Sequence, residues 1–248
     1  MSERERAVVC LSGGMDSCVC AAMAAQTHEI YTLHFSYGQR TEARELASAR
    51  AVADRLGAKK FLSLHMDLFR QIGGSALVDD TIDVPRATDA TGKISERAAA
   101  EIPATYVPFR NAHFLSAAVS WAELLGAGKV YIGAVEQDSS GYPDCRPAFY
   151  TAFQQAVDWG TKAGGIEMVT PLIALRKSEI VKRGIALKAP LDLTWSCYTN
   201  EQQACGVCES CVLRLEAFAQ AGISDPVAYT KGQEQQGSAG FPRRENKT

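Results

Sequence analysis

Apolar and polar positions repeat along this chain with two periods, and together they predict an alternation of strands and helices. Short apolar runs such as AVVCLS (residues 7–12) are typical of buried strands, whereas apolar residues spaced by three and four indicate amphipathic helices. The predicted strands cover residues 7–12, 29–37, 59–66, 129–135 and 166–172. The predicted helices cover residues 16–25, 39–56, 111–125, 149–162, 177–186 and 212–221.

The order of these elements predicts an α/β fold. Strands that alternate with helices form a mostly parallel, Rossmann-like sheet with helices on both faces. Residues 71–110 are polar and rich in turn residues, a composition typical of a functional lid or of disorder. We therefore expect a sheet domain over residues 1–190, a small cysteine-bearing helical module over 191–230, and a flexible tail over 231–248.

Composition and charge narrow the classes of function. Hydrophobic residues make up 46% of the chain and charged residues 22%, the formal net charge is -2, and the pI is about 6.1. These values favour a globular protein with a sizeable core and argue against binding to polyanions by bulk charge. The N-terminus carries charges but no long apolar segment, so we expect a cytosolic protein without a secretory signal or membrane span.

The segment LSGGMDS (Leu11–Ser17) predicts a phosphate site between the first strand and the first helix. Gly13 and Gly14 leave the backbone N–H groups accessible, the helix N-terminus adds positive partial charge, and Ser12 and Ser17 supply hydroxyl groups. The loop lacks the lysine of a Walker sequence and does not fit G-x-G-x-x-G. Asp16 is equally compatible with a magnesium ligand and with a simple helix-end charge.

Four cysteines near the C-terminus predict a closed metal site. Their spacing is C-x7-C-x2-C-x2-C, and four thiolates at such turns can surround a zinc ion. An iron–sulfur cluster is the alternative, but no further cysteine or Cys-Pro pair follows at the ferredoxin spacing. Cys10, Cys18 and Cys20 flank the phosphate loop and are expected to be small core residues. The predicted ligands are Cys197, Cys205, Cys208 and Cys211.

The motifs resemble two nested groups of enzymes. S-G-G-x-D-S is similar to the pyrophosphate loop of the ATP-pyrophosphatase superfamily, whose members cleave ATP to AMP and pyrophosphate. A narrower set of segments between Leu11 and Cys211 resembles the 7-cyano-7-deazaguanine synthase family. This set comprises LSGGMDS, FSYGQR (35–40), VPFRN (107–111), IGAVEQDSSGYPDCRP (132–147), TPLIALRKSEIV (170–181), TWSCY (194–198) and CGVCESC (205–211).

This resemblance implies an ATP-dependent ligase of queuosine precursor synthesis, acting on 7-carboxy-7-deazaguanine and ammonia with Mg²⁺ and Zn²⁺ bound. It also implies a homodimer with small-molecule partners, acting on neither nucleic acid nor membrane. Ser12, Asp16, Ser17 and Lys177 are the expected catalytic residues, although Lys177 is also compatible with a solvated lysine. The expected nucleotide contacts are Leu11, Ser12, Gly13, Gly14, Met15, Asp16, Ser17, Phe35, Tyr37, Gly38, Gln39, Arg110 and Asn111.

A loop after the fourth predicted strand offers substrate contacts. The acid substrate needs an acidic acceptor, an aromatic platform and a cation, and residues 136–146 contain all of these. The expected substrate-binding residues are Asp138, Tyr142, Asp144 and Arg146. Ordinary turn chemistry explains the same loop, Asn111 is also compatible with a helix N-cap, and Phe35 with the core. His34, His65 and His113 are expected to be packed or hydrogen-bonded.

Two other functions fit parts of the pattern. A tRNA-modifying thiolase of the same superfamily needs a sulfur-carrying cysteine, and Cys145 is the loop cysteine outside the cluster. A zinc-bearing regulator that binds nucleotide without chemistry needs only the loop and the cysteines. Pyrophosphate release that depends on 7-carboxy-7-deazaguanine separates the synthase from both alternatives.

Overall fold

The computed structural model describes residues 4–87, 102–136, 141–162 and 164–230, which form a parallel sheet covered by helices. Asp138 and the tail over 231–248 lie outside these residues, as does part of the segment 71–110. No helix in the described ranges is long and apolar enough to cross a membrane.

All five predicted strands form one sheet in the order β3-β2-β1-β4-β5, and every neighbouring pair is parallel. The strands are β1 (Arg6–Cys10), β2 (Glu29–Ser36), β3 (Lys60–His65), β4 (Lys129–Ile132) and β5 (Glu167–Val169). The register pairs Val8 with Tyr31 on one side and with Val130 on the other. The chain reverses direction of winding at β1, so the carboxyl ends of β1, β2 and β4 meet where ligands bind in such sheets.

Six helices of nine or more residues follow the predicted pattern, with shifted ends. The helices are α1 (Met15–Thr27), α2 (Glu42–Arg55), a short α3 (Leu68–Ile72), α4 (Arg110–Leu125), α5 (Pro147–Gly160), α6 (Lys177–Ala186) and α7 (Glu209–Ala221). Helix α2 was expected to begin at Gln39, but Gln39 lies in the turn after β2, where its side chain binds backbone groups. Helix α3 has no counterpart among the predicted elements because one helical turn is too short to show a period.

Alternate residues of β1 face two separate cores. Ala7 and Val9 pack with α1, α2, α6 and α7, whereas Val8 and Cys10 pack with α4 and α5. This alternation confirms helices on both faces of the sheet. Phe218 of α7 belongs to the first core, so the C-terminal helix packs against the sheet domain. The boundary at residue 190 stays a prediction.

Gly133, directly after β4, allows the sheet to approach the N-terminus of α1. A Cβ atom at Gly133 would lie 2.9 Å from the carbonyl carbon and oxygen of Asp16 and from the nitrogen of Ser17. These are backbone atoms that cannot rotate away. The position of the α1 N-terminus over the sheet therefore depends on a missing side chain.

Replacing Gly133 by alanine should lower the free energy of unfolding by about 1–3 kcal/mol, since the added methyl overpacks a backbone contact. The control is Gly128→Ala, where an added Cβ meets nothing within 4 Å. The control should stay within about 0.5 kcal/mol of the parent. Urea unfolding of both variants measures the difference, and equal stabilities would contradict the close approach.

Candidate functional site

A cavity of about 280 Å³ opens at the carboxyl ends of the central strands. Its walls come from the loop after β1, the turn after β2, the N-termini of α4 and α6, and the segment around residues 195–198. It brings together most of the residues predicted from sequence: Leu11, Ser12, Gly14, Met15, Asp16, Ser17, Phe35, Tyr37, Gln39, Arg110, Asn111, Tyr142 and Lys177. Gly13 and Gly38 are not among the lining residues, but each is next in sequence to residues that are, and so belongs to the backbone of the cavity wall.

The loop after β1 is held in one shape by its own side chains. The Ser12 hydroxyl accepts a hydrogen bond from the Gly14 N–H (3.2 Å) and lies 3.0 Å from the Ser17 hydroxyl, which donates to the Gly14 carbonyl (3.0 Å). Gly13 has φ of +93°, and a Cβ atom there would lie 2.4 Å from the Glu45 carbonyl oxygen. The first turn of α1 follows directly, and its N–H groups have no partner within the helix.

Asp16 and Lys177 form an ion pair across the cavity, although they lie far apart in sequence. Lys177 is the first residue of α6, and its ammonium group donates to the Asp16 Oδ2 atom. Their side chains are 24% and 16% exposed, so the pair is shielded from bulk water. The second carboxylate oxygen of Asp16 is buried without a hydrogen-bond partner. A buried carboxylate oxygen without a donor fits a hard cation such as Mg²⁺.

Arg110 is the first residue of α4 and lines the same cavity. Its guanidinium donates to the Tyr37 hydroxyl (2.7 Å) and lies over the Tyr37 and Phe114 rings. Burial raises the pKa of Tyr37 to about 12, so this hydroxyl stays neutral and Arg110 keeps its full positive charge. The arrangement presents a cation to an anionic group inside the cavity.

Glu45 is an acidic cavity residue that sequence analysis missed. The carboxylate accepts hydrogen bonds from the Thr41 hydroxyl (2.8 Å) and the Gln39 amide (3.2 Å). Burial raises the pKa of the Glu45 carboxyl above its ordinary value. No short motif marks a glutamate in the first turns of a helix, so the sequence carried no signal for it.

The predicted substrate-binding residues in the loop after β4 lie in different environments. Tyr142 lines the cavity and shares a hydrogen bond with the Thr105 hydroxyl (2.9 Å). Asp144 is buried outside the lining, where its carboxylate accepts the Asn111 N–H (2.9 Å) and burial raises its pKa. Arg146 is exposed and precedes α5. Asp144 therefore caps α4 and positions Asn111.

The cysteines near the cavity that lie outside the four-cysteine cluster have no feature that would activate them as nucleophiles. Burial raises the pKa of Cys10 and of Cys18 to about 12 and that of Cys145 to about 11. Cys145 lies next to the Asn111 amide (3.4 Å) in the cavity wall. A thiol with so high a pKa is a poor sulfur carrier at neutral pH.

Four cysteines converge at the start of α7 as the spacing predicted. The sulfur atoms of Cys197, Cys205, Cys208 and Cys211 all lie within 4.8 Å of one another. Backbone N–H groups of Thr199, Asn200 and Cys205 point to the Cys197 sulfur, and those of Val207 and Cys208 point to the Cys205 sulfur. Such donors stabilise thiolates. Hydrogen bonds, the largest from Cys205, hold the pKa of the Cys197 thiol well below its ordinary value. The set fits a closed four-sulfur metal site.

The cysteine module also forms one wall of the cavity. The Trp195 backbone N–H donates to the Gly13 carbonyl (2.8 Å), and the Thr41 hydroxyl, whose single proton points to the nearer Glu45 carboxylate, also lies 3.2 Å from the carbonyl oxygen of Cys197. Tyr198 follows Cys197 directly and lines the cavity. The metal-site backbone is therefore joined to both the phosphate loop and the N-terminus of α2.

The matching family model and the curated relatives agree on one family. The family described as queuosine biosynthesis protein QueC matches residues 6–222. A 7-cyano-7-deazaguanine synthase from Acidobacterium capsulatum is 68% identical over 92% of this chain and 97% of its own length. One from Koribacter versatilis is 62% identical over 90% of this chain and 93% of its own. Among solved structures, an NAD+ synthetase from Burkholderia pseudomallei matches with a TM-score of 0.42 and 17% identity, covering 94% of this chain and 71% of that chain.

Cys208→Ser should remove the bound metal and destabilise the protein, because a closed thiolate site contributes folding free energy. Elemental analysis should give about one metal ion per chain for the parent and less than about a tenth of that for the variant. Cys145→Ser, outside the cluster, is the matched control and should keep its metal. A stable Cys208→Ser protein with full metal content would contradict the assignment.

Proposed function

The chain belongs to the queuosine biosynthesis protein QueC family, and we propose that it converts 7-carboxy-7-deazaguanine, ammonia and ATP into 7-cyano-7-deazaguanine. The observation that supports this most is the meeting of the Ser12–Ser17 loop, the Asp16–Lys177 pair and the Arg110 guanidinium in one cavity. Together they offer groups for a triphosphate and for an anionic acid side by side.

The first step activates the carboxylate of the substrate. Its oxygen attacks the α-phosphorus of ATP, the bond to the β-phosphate oxygen breaks, and pyrophosphate leaves. Ammonia then attacks the carboxyl carbon, and AMP leaves with the former carboxylate oxygen to give the amide. The amide oxygen attacks the α-phosphorus of a second ATP, the bond to the β-phosphate oxygen breaks, and a second pyrophosphate leaves. Loss of N–H protons and of AMP then leaves the nitrile.

The protein contributes positioning and charge neutralisation to these steps. The Ser12 and Ser17 hydroxyls and the first N–H groups of α1 bind phosphate oxygens, with Leu11, Gly13, Gly14 and Met15 shaping the loop. Lys177 neutralises negative charge that develops on the leaving pyrophosphate. Phe35, Tyr37, Gly38, Gln39 and Asn111 form the rim beyond β2 and α4 where we place the nucleotide. Tyr142 contacts the acid substrate, as does Asp138, while Asp144 acts through Asn111.

Two metals complete the proposal. Asp16, through its unpartnered carboxylate oxygen, would hold Mg²⁺, which would supply charge neutralisation to ATP. Zn²⁺ held by Cys197, Cys205, Cys208 and Cys211 serves a structural role, since four sulfur ligands leave no open position. The partners we propose are small molecules rather than nucleic acid, and the assembly is a homodimer in the cytosol.

The protein incubated with 7-carboxy-7-deazaguanine, ATP, Mg²⁺ and ammonium should yield 7-cyano-7-deazaguanine. One AMP and one pyrophosphate should form for each oxygen removed from the acid. Mass spectrometry identifies the product, and a coupled assay measures pyrophosphate. Release of pyrophosphate independent of the acid, without nitrile, would refute the proposed reaction.

Lys177→Met should lower the rate of acid-dependent pyrophosphate release by about 100- to 1,000-fold, because it removes charge stabilisation at the phosphates. Lys182→Met, at an exposed position of the same helix, removes the same charge and should leave the rate within about twofold. Fixed-time assays of pyrophosphate release on both variants make the comparison. Equal rates for the two variants would exclude Lys177 from the reaction.

A further inference from the structure

The cavity contains one carboxylate, that of Glu45, that forms no ion pair within the described part of the chain; the positive charge of Arg110 acts on it without a direct contact. Among the described cavity-lining residues, the acidic side chains are those of Asp16 and Glu45. Asp16 pairs with Lys177. Glu45 receives only the neutral donors of Thr41 and Gln39, one on each oxygen, and in the described part of the chain no basic group lies within ion-pair distance of it.

Gln39 fixes the Glu45 carboxylate in place, and both N–H groups of its amide are engaged in hydrogen bonds. The Gln39 amide nitrogen donates to the Phe35 carbonyl (3.3 Å) and to Glu45 (3.2 Å), while its oxygen accepts the Tyr37 N–H (2.8 Å). The Thr41 hydroxyl holds the other Glu45 oxygen. A carboxylate can accept more than two hydrogen bonds, so Glu45 keeps acceptor lone pairs that these two bonds do not use. The turn after β2 thus holds a rigid acceptor at the cavity wall.

A buried carboxylate with unused acceptor positions and no cation in direct contact is stabilised when a ligand supplies donors. The ligand chemistry that matches it is a pair of adjacent N–H donors spaced like the two carboxylate oxygens. The N1–H and 2-amino groups of a 7-deazaguanine form such a pair. Adenine offers only its 6-amino group beside an acceptor nitrogen, and that acceptor would face the second carboxylate oxygen.

We propose that Glu45 reads the N1–H and 2-amino edge of the 7-deazaguanine acid, and that the Arg110 guanidinium is the cation for the carboxylate of the acid. This inference rests on the proposed function for the identity of the acid. It places the base-reading acceptor on α2, in a helix turn outside every loop that the sequence motifs marked. Glu45 is then the residue that determines specificity for a 2-aminopyrimidinone substrate.

The test measures binding without turnover. The ligands are 7-carboxy-7-deazaguanine, its analogue without the 2-amino group, and α,β-methylene-ATP, each titrated by calorimetry into the parent, Glu45→Gln and Asp54→Asn proteins. Asp54→Asn makes the same charge change at an exposed position of the same helix and should bind all ligands as the parent does.

The parent should bind the complete acid about 10- to 100-fold more tightly than the 2-deamino analogue, as expected for a two-donor contact. In Glu45→Gln, the affinity for the complete acid should fall by a similar factor. The affinities for the analogue and for α,β-methylene-ATP should change by less than about threefold, because neither ligand makes the full contact.

Three results would overturn the proposal. An equal loss for both acids would show a structural role, and a loss confined to α,β-methylene-ATP would assign Glu45 to the nucleotide. A parent protein that does not distinguish the two acids would also overturn it, even where Glu45→Gln does not fold. Failure of the proposed function would give a different result. If the expected binding pattern is found but no nitrile forms, the proposed reaction is refuted while the role of Glu45 in binding the base is retained.

Discussion

Two backbone contacts that exclude side chains determine where the phosphate loop lies. Gly13 packs under the carbonyl of Glu45 at the N-terminus of α2, and Gly133 packs under the first turn of α1 at the end of β4. The loop is thereby held between two neighbouring elements on either side of β1. Because both contacts involve main-chain atoms, the N–H groups at the start of α1 keep their direction before any ligand arrives. A preorganised donor set of this kind costs no reorganisation when charge develops on a phosphate.

The same contacts connect the cavity to the cysteine module. Trp195 donates its N–H to the Gly13 carbonyl, and the Thr41 hydroxyl bridges the Cys197 carbonyl and the Glu45 carboxylate. A metal ion bound by the four cysteines would fix the backbone at Cys197, and hence the wall that carries Trp195 and Tyr198. Such a site would be chemically closed, yet Cys197 lies one residue from the cavity lining. Its structural role would then include the shape of the cavity as well as the fold.

The sequence predicted the features that depend on local chemistry and missed those that depend on packing. Five strands, the Leu11–Ser17 loop and the four cysteines all carry short-range signals, namely apolar runs, paired glycines and fixed spacing. Lys177 and Asp16 were named separately, but their ion pair joins residues 161 positions apart in the chain and no local pattern encodes it. Asp144 was predicted to contact the substrate, which stays a prediction; the structure adds that its carboxylate accepts the Asn111 N–H, a contact that no local pattern encodes. Glu45 sits in an ordinary helical sequence, so only the meeting of α2 with the cavity reveals it.

The charges in the cavity also explain why the two halves of the site need different partners. Asp16 and Lys177 neutralise each other in the ligand-free cavity, which keeps the desolvation cost of both groups low. A phosphate that takes up Lys177 would leave the Asp16 carboxylate buried without a cation, a state that costs several kcal/mol. In the proposed reaction, Mg²⁺ bound with ATP would offset that cost, since the unpartnered Asp16 oxygen would hold it. Glu45 has no ion-pair partner to release, although the positive charge of Arg110 acts on it, so neutral N–H donors of a ligand would complete its hydrogen bonds. We therefore assign a metal–phosphate complex to the Asp16 side of the cavity and the heterocycle to the Glu45 side.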